Sequence, residues 1–145
     1  MLKPLRNTIV IDDDYISLFL ITKILGEQRL TETILPFTNG ISALEYLFES
    51  AQDICKLPDV ILLDIKMPEI SGWQFLQRLK NINFIEDYKP FICTISADIS
   101  IDTEMLKDEP LIKAHLVKPI IPAKLVALLT CAEMEFETFR AIEKV

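Results

Sequence analysis

Asp12-Asp13-Asp14, Asp64, Ser96 and Lys118 are the side chains of this sequence whose types could combine in one reaction. Three carboxylates held together without a cation repel one another. An octahedral Mg2+ takes one or two carboxylates, waters and phosphate oxygens as its ordinary ligands, so a cluster of Asp12, Asp13 and Asp64 predicts a magnesium site. A carboxylate such as Asp64 is also a nucleophile. It can accept a phosphoryl group as an acyl phosphate when metal, ammonium and hydroxyl donors neutralise the charge gathering on the equatorial oxygens. Lys118 and Ser96 are donors of those two kinds. Taken singly, each has a plainer reading. An acidic triplet is more often a solvated turn or a helix N-cap, a serine a strand-end hydroxyl bonded to backbone, and a lysine a surface charge. Only a shared location reverses those odds.

The elements that must supply that location are legible as an alternation. Thr8-Ile9-Val10-Ile11 is a β-branched run ending in the acidic triplet, after which Ile16, Phe19, Leu20, Ile24 and Leu25 recur at helical spacing and predict a helix. Thr33–Phe37 predicts a second strand, Asn39-Gly40 a turn, and Ala43, Leu44, Leu47 and Phe48 one face of a second helix. Asp59–Leu63 is apolar on both faces, as a central parallel strand must be, and Asp64 stands at its carboxyl end. A loop through Met67-Pro68 and Ser71-Gly72 leads into a helix over Trp73–Lys80. Phe91–Ile95 predicts a fourth strand ending at Ser96-Ala97, Thr103–Lys107 a weak helix, and His115–Val117 a fifth strand ending at Lys118-Pro119. From Pro122 a long helix carries Leu125, Leu128, Leu129, Ala132, Phe136 and Phe139 on one stripe.

Strands alternating with helices over short connections imply an α/β fold, a single doubly wound (βα)5 domain whose parallel sheet has the flavodoxin-like order 2-1-3-4-5. In such sheets ligands bind outside the carboxyl ends of the strands, near the point where strand order reverses. The first strand would deliver Asp12 and Asp13 there, the third Asp64, the fourth Ser96 and the fifth Lys118.

On Ile11-Asp12-Asp13-Asp14, Leu63-Asp64-Ile65-Lys66-Met67-Pro68 with Ser71-Gly72, Ser96-Ala97 and Lys118-Pro119-Ile120, the chain resembles the receiver domain of bacterial two-component response regulators, in particular single-domain regulators of the chemotaxis kind. Four motifs in order, each at an expected strand end, carry far more weight than any one. The resemblance implies that Asp64 is the phosphorylation site. It implies that Asp13, Asp64 and the backbone carbonyl of Lys66 ligate Mg2+, with Asp12 acting mainly through a metal-bound water. Lys118 would pair with the phosphoryl group, Ser96 would move toward it as a switch, and Ala97 would leave space beside the site. A cis peptide at Lys118-Pro119 is implied too. The implied partners are a sensor histidine kinase or histidine phosphotransfer protein and a downstream protein target, with the chain a cytoplasmic monomer or weak homodimer and a phosphoacceptor signalling domain rather than an enzyme.

The sequence departs from that family at His115, where the family commonly has an aromatic switch residue three positions before the lysine. A histidine there can still exchange between buried and exposed positions, and it adds a group that titrates near neutral pH. Lys66 and Asp98 are expected to flank the mouth of the site and tune the lifetime of the phosphoryl group. The segments Ser50–Leu57 and Asn81–Lys89 are longer than the resemblance implies, and the last helix is expected to run about two turns past its usual end.

Composition narrows the alternatives. At 145 residues the chain fits one domain over 1–145, with a core from about residue 7 to about residue 131 and no output domain expected. No apolar run approaches a membrane span. A net charge of −7 without a basic cluster opposes nucleic-acid binding. Cys55, Cys93 and Cys131 lack any CxxC pattern and are expected to be reduced core thiols. A Mg-dependent aspartyl-phosphate phosphohydrolase of similar fold is the alternative, but it would need a second aspartate two residues after the nucleophile, where Lys66 stands. A nucleotide-binding module would want a glycine-rich phosphate loop, and none of the three glycines lies in one.

Overall fold

The computed structural model describes residues 5–97 and 103–143, with the backbone alone described for 103–104 and 136–143. The chain alternates β1 (Leu5–Ile11), α1 (Tyr15–Gln28), β2 (Thr31–Phe37), α2 (Gly40–Glu49), β3 (Val60–Asp64), α3 (Gly72–Leu79), β4 (Phe91–Ser96), α4 (Thr103–Asp108), β5 (Ile112–Val117) and α5 (Pro122–Glu143). The strands form one parallel sheet of order β2-β1-β3-β4-β5. The doubly wound α/β expectation therefore holds, and β1 and β3, the strands that end in aspartates, lie side by side.

Side-chain alternation along each strand splits the core into two layers. On one face Val10, Leu62, Cys93 and Ile95 pack against Leu18, Ile21 and Leu25 of α1 and Leu125, Leu129 and Ala132 of α5. On the other, Ile9, Ile11, Ile61, Leu63 and Ile92 meet Ala43 and Leu47 of α2 and Phe75, Leu76 and Leu79 of α3. Every residue of β3 is buried. Each such aliphatic or aromatic side chain contributes about 1.5–3 kcal/mol by leaving water.

Two helices present different faces from those the spacing suggests. In α1 the buried residues are Leu18, Ile21 and Leu25, with Ile24 partly buried, whereas Ile16, Phe19 and Leu20 are exposed. The helix is apolar nearly all round, so periodicity alone does not select a face. The start at Asp14 does, its carboxylate capping the Ile16 N–H at 3.0 Å and accepting from the Ser17 hydroxyl at 3.1 Å. Phe48 of α2 is likewise exposed while Ala43 and Leu47 are buried. Asn39 is the N-cap of α2, accepting from the Ser42 N–H at 2.8 Å, and Gly40 is already helical. The side chains of Phe136 and Phe139 lie outside the described residues, although the backbone of α5 does continue to Glu143.

The two long segments meet at the amino-terminal end of the sheet, away from the aspartates. Ile85 N–H donates to the Ala51 carbonyl at 2.8 Å, the Gln52 amide to the Asn83 carbonyl at 2.7 Å, and the Tyr88 hydroxyl to the Pro58 carbonyl at 2.7 Å. Burial keeps the Tyr88 phenol far above its ordinary range. Of the three thiols only Cys93 is in the core, its pKa pushed up to about 12 by burial; Cys55 and Cys131 are exposed, which corrects the expectation of three core thiols, and none is in a disulfide. No helix among the described residues is long and apolar enough to cross a membrane.

Candidate functional site at the carboxyl ends of the strands

Asp12 follows β1 immediately, and its N–H donates to the Phe37 carbonyl of the neighbouring strand at 3.1 Å, which fixes the backbone as it leaves the sheet. Its carboxylate is buried and folds back to accept the Asp14 N–H at 2.9 Å through Oδ1. Asp13 is half-buried beside it. Asp64, the last residue of β3, is buried. One carboxylate oxygen from each of Asp12, Asp13 and Asp64 lies within 4.8 Å of the other two.

Lys118 reaches into this cluster from the end of β5. Its Nζ stands 2.8 Å from Asp12 Oδ2 and 3.6 Å from Asp64 Oδ2, so one ammonium serves two carboxylates. The 2.8 Å contact is an ion pair, and Asp12 Oδ2 is a buried oxygen to which no hydrogen bond is aligned among the described residues. A buried carboxylate oxygen with spare acceptor capacity, facing two further carboxylates, is the donor set a hard divalent cation takes, so the residues present fit Mg2+. Burial, followed by the repulsion of Asp12, raises the Asp64 carboxyl to about 7 against the pull of Lys118. Burial alone would lower Lys118, but Asp12 and Asp64 outweigh it and hold the ammonium above its ordinary range. The backbone N–H of Ile16 and the hydroxyl of Ser17 hold Asp14 low, as befits a helix cap, with a smaller contribution from Lys118.

The loop after Asp64 is tied at both ends. Ile65 N–H donates to the Ile95 carbonyl at 3.0 Å, and Gly72 N–H donates to the Ile65 carbonyl at 2.7 Å. A Cβ on Gly72 would meet the Asp64 carbonyl oxygen at 2.8 Å and Ile65 Cα at 2.9 Å, so only glycine lets α3 begin this close to the strand end. Ser71 caps α3 in a capping box with Gln74, each accepting the other's backbone N–H, at 3.2 and 2.9 Å. Glu69 takes a left-handed φ of 65° in the same loop. Lys66 is exposed at the start of this loop; Asp98, its expected counterpart, lies outside the described residues.

Ser96 ends β4, buried, and its carbonyl accepts the Lys118 N–H at 2.8 Å, which joins the ends of β4 and β5. The Lys118–Pro119 peptide is cis. His115 is half-buried in β5 opposite Thr94 of β4, with Nδ1 2.7 Å from the Thr94 hydroxyl. Burial lowers its pKa, and a hydrogen bond to the backbone of Thr94 partly offsets that. Asp12, Asp13, Asp64, Ser96 and Lys118 thus all stand at one edge of the sheet, while His115 sits three residues back along β5. Sequence reasoning passed over Thr94, although it lies two positions before Ser96 and so on the same face of β4.

Comparison with known proteins agrees with this arrangement. Residues 8–130 match the model of the response regulator receiver domain. The chain is 30% identical over 79 residues to the regulatory protein VanRc of Enterococcus gallinarum, covering 54% of this chain and 31% of that protein. It is 36% identical over 75 residues to the sensor histidine kinase CheAY of Helicobacter pylori, covering 52% of this chain and 9% of that protein. The chain thus spans less than a third of the length of these curated relatives. Among solved structures, a two-component response regulator from Cytophaga hutchinsonii superposes with a TM-score of 0.79 at 26% identity, covering 90% of this chain and 98% of that one. A response regulator receiver protein from Dyadobacter fermentans superposes with a TM-score of 0.73 at 29% identity, covering 88% and 97%. The chain belongs to the response regulator receiver domain family of two-component systems.

Proposed function

We propose that the chain accepts a phosphoryl group on Asp64 from a phosphohistidine of a sensor kinase or phosphotransfer protein, and that the acyl phosphate then changes which proteins it binds. The observation that carries this reading is the single ammonium of Lys118 shared between Asp12 and Asp64 at the edge where Asp13 and Ser96 also end.

Asp12, Asp13, Asp64 and the backbone carbonyl of Lys66 would hold Mg2+, which supplies charge neutralisation at the phosphoryl oxygens. A carboxylate oxygen of Asp64 attacks phosphorus, a P–O bond forms as the P–N bond to imidazole breaks, and the departing imidazole takes a proton from solvent. The raised pKa of Asp64 disfavours the nucleophilic anion in the metal-free protein, and the positive charge of a bound cation would favour it. Lys118 turns from its carboxylates toward the phosphoryl group, and the hydroxyl of Ser96 donates to another of its oxygens. In the reverse direction water attacks phosphorus, releasing inorganic phosphate and restoring the Asp64 carboxylate. Ser96 and His115 are the switch residues in this reading.

The exposed Tyr15, Ile16, Phe19 and Leu20 form an apolar ridge along α1 that begins directly after the acidic turn, and a protein bringing a phosphohistidine to Asp64 passes over it. The receiver unit is taken to run from about residue 7 to about residue 131, with α5 extending beyond it, and to act in the cytoplasm beside its kinase.

The test is intact mass after incubation with Mg2+ and a small acyl phosphate donor. The wild-type protein should gain one phosphoryl group, and Asp64→Asn none. A gain that survives in Asp64→Asn contradicts the proposal.

A further inference from the structure

His115 is the only histidine of the chain, and its ring has an unusual hydrogen-bonding position. Thr94 is fully buried in β4 and is the register partner of His115 in β5. The Thr94 hydroxyl lies 2.7 Å from His115 Nδ1 but 3.5 Å from the Ala114 carbonyl. A hydroxyl has one proton to give, and 2.7 Å is an ordinary hydroxyl hydrogen-bond length whereas 3.5 Å is beyond it, so the proton goes to the ring. That assigns Nδ1 as acceptor and places the hydrogen on Nε2. Nε2 is buried and has no partner among the described residues.

The inward ring is therefore held through Thr94, by its hydroxyl at 2.7 Å and by its backbone, while Nε2 is left without a partner among the described residues. Turning outward would hydrate both nitrogens and break the bond to Thr94. A ring with one satisfied and one unsatisfied nitrogen has two competing positions, and the Thr94 hydroxyl decides between them. Thr94 and Ser96 share a face of the same strand, two residues apart, and the Ser96 carbonyl is bonded to the Lys118 N–H. Thr94 therefore stands between the two, two residues from Ser96 along β4 and hydrogen-bonded to the ring on β5.

We propose that Thr94 is a positioning residue that holds His115 inward and links the position of Ser96 to that of the ring on β5. The link rests on the proposed role of Ser96; the hold does not. Its consequence is that His115 answers to β4 through a hydrogen bond, where a purely apolar aromatic would answer through packing alone.

The test is the rate at which diethyl pyrocarbonate modifies His115, read by peptide mass at neutral pH in wild type, Thr94→Val and Thr94→Ser. Valine keeps the shape and removes the hydroxyl, whereas serine keeps the hydroxyl. Loss of one hydrogen bond predicts a rate about fivefold higher in Thr94→Val and a near wild-type rate in Thr94→Ser. Equal rates in wild type and Thr94→Val, or a Thr94→Ser rate matching Thr94→Val, overturn the hold. If Thr94→Val does not fold, the ring nitrogen spectrum of the wild type decides: an Nδ1 resonance typical of a free acceptor nitrogen contradicts the proposal. Repeating the wild-type and Thr94→Val reactions with Mg2+ and an acyl phosphate donor tests the link, which predicts a change in rate in wild type that is lost in Thr94→Val. Intact mass is read in the same samples. Phosphoryl gain without any change in the wild-type rate overturns the link, whereas failure to gain a phosphoryl group is a failure of the Asp64 reading and leaves the hold to be judged on the unloaded protein.

Discussion

The β1–β3 half of the site and the β4–β5 half meet at Lys118 but are built on different terms. In the first, Asp12, Asp13 and Asp64 are charges fixed by backbone: Asp12 is tied to Phe37 and Asp14, and Asp64 is the last residue of a fully buried strand followed by a loop pinned at Ile65 and Gly72. In the second, Thr94, Ser96 and His115 are neutral groups, and the ring can trade its bond to the Thr94 hydroxyl for water. The acidic half is preorganised and electrostatically strained, held by a shared ammonium. The neutral half is poised between alternatives. Chemistry needs the former, because charge stabilisation works best when no group must reorganise. Switching needs the latter, because a ligand moves an equilibrium only where two states lie close in free energy.

If that division is right, damage to the two halves must differ in kind. The largest effect is expected from Lys118→Ala, which removes the cation facing the developing phosphoryl charge and should slow phosphoryl uptake about 100-fold or more. Thr94→Val and His115→Phe should change it only a few-fold. Time courses of intact mass with one donor measure all three, and a comparable slowing by Thr94→Val would dissolve the comparison.

Gly72→Ala should act next. Its Cβ would sit 2.8 Å from the Asp64 carbonyl oxygen, where backbone and not a flexible side chain must yield, at about 1–3 kcal/mol in denaturant unfolding. Calorimetric Mg2+ titration should show weaker binding as well, since the displaced loop carries Lys66. Gly26→Ala, whose Cβ meets nothing, is the control. Equal stability of the two variants would mean the loop is not held as described.

The last effect is a dependence on pH. Asp64 has a folded pKa of about 7, above its ordinary value, so the folded protein binds more protons than the unfolded chain between about pH 4 and 7. Its contribution is present at the acid end of that window and is lost as pH rises through 7. His115 has the opposite sign: its folded pKa is lowered, so its contribution is lost as pH falls below the ordinary histidine value. Mg2+ favours the Asp64 anion and should remove the first trend while leaving the second. Denaturant midpoints between pH 5 and 8, with and without Mg2+, separate them. A metal-free protein whose stability rises through 7 and ignores Mg2+ would place no strain in the acidic half.

The sequence made the acidic half legible because each of its residues ends a strand whose β-branched run announces it, and parallel order then brings those ends together. Ser96 and Lys118 follow from the same rule. Other features depend on which face meets which. Ile16, Phe19 and Leu20 satisfy helical spacing as well as Leu18, Ile21 and Leu25 do, and only the start of α1 at Asp14 selects between them. Cys55 and Cys131 carry no local sign of exposure, because solvent contact is set by elements distant in the chain. Thr94 becomes meaningful only once β4 and β5 are in register, a pairing across 21 positions that neither segment specifies alone.

The central claim is that Asp64 itself carries the phosphoryl group, and borohydride reduction tests it most directly because it converts an aspartyl phosphate to homoserine in place. After incubation with Mg2+ and an acyl phosphate donor, peptide mapping should find homoserine at position 64 and nowhere else, and none when Mg2+ is chelated. Phosphate on Ser96 or His115 with Asp64 intact would contradict the account.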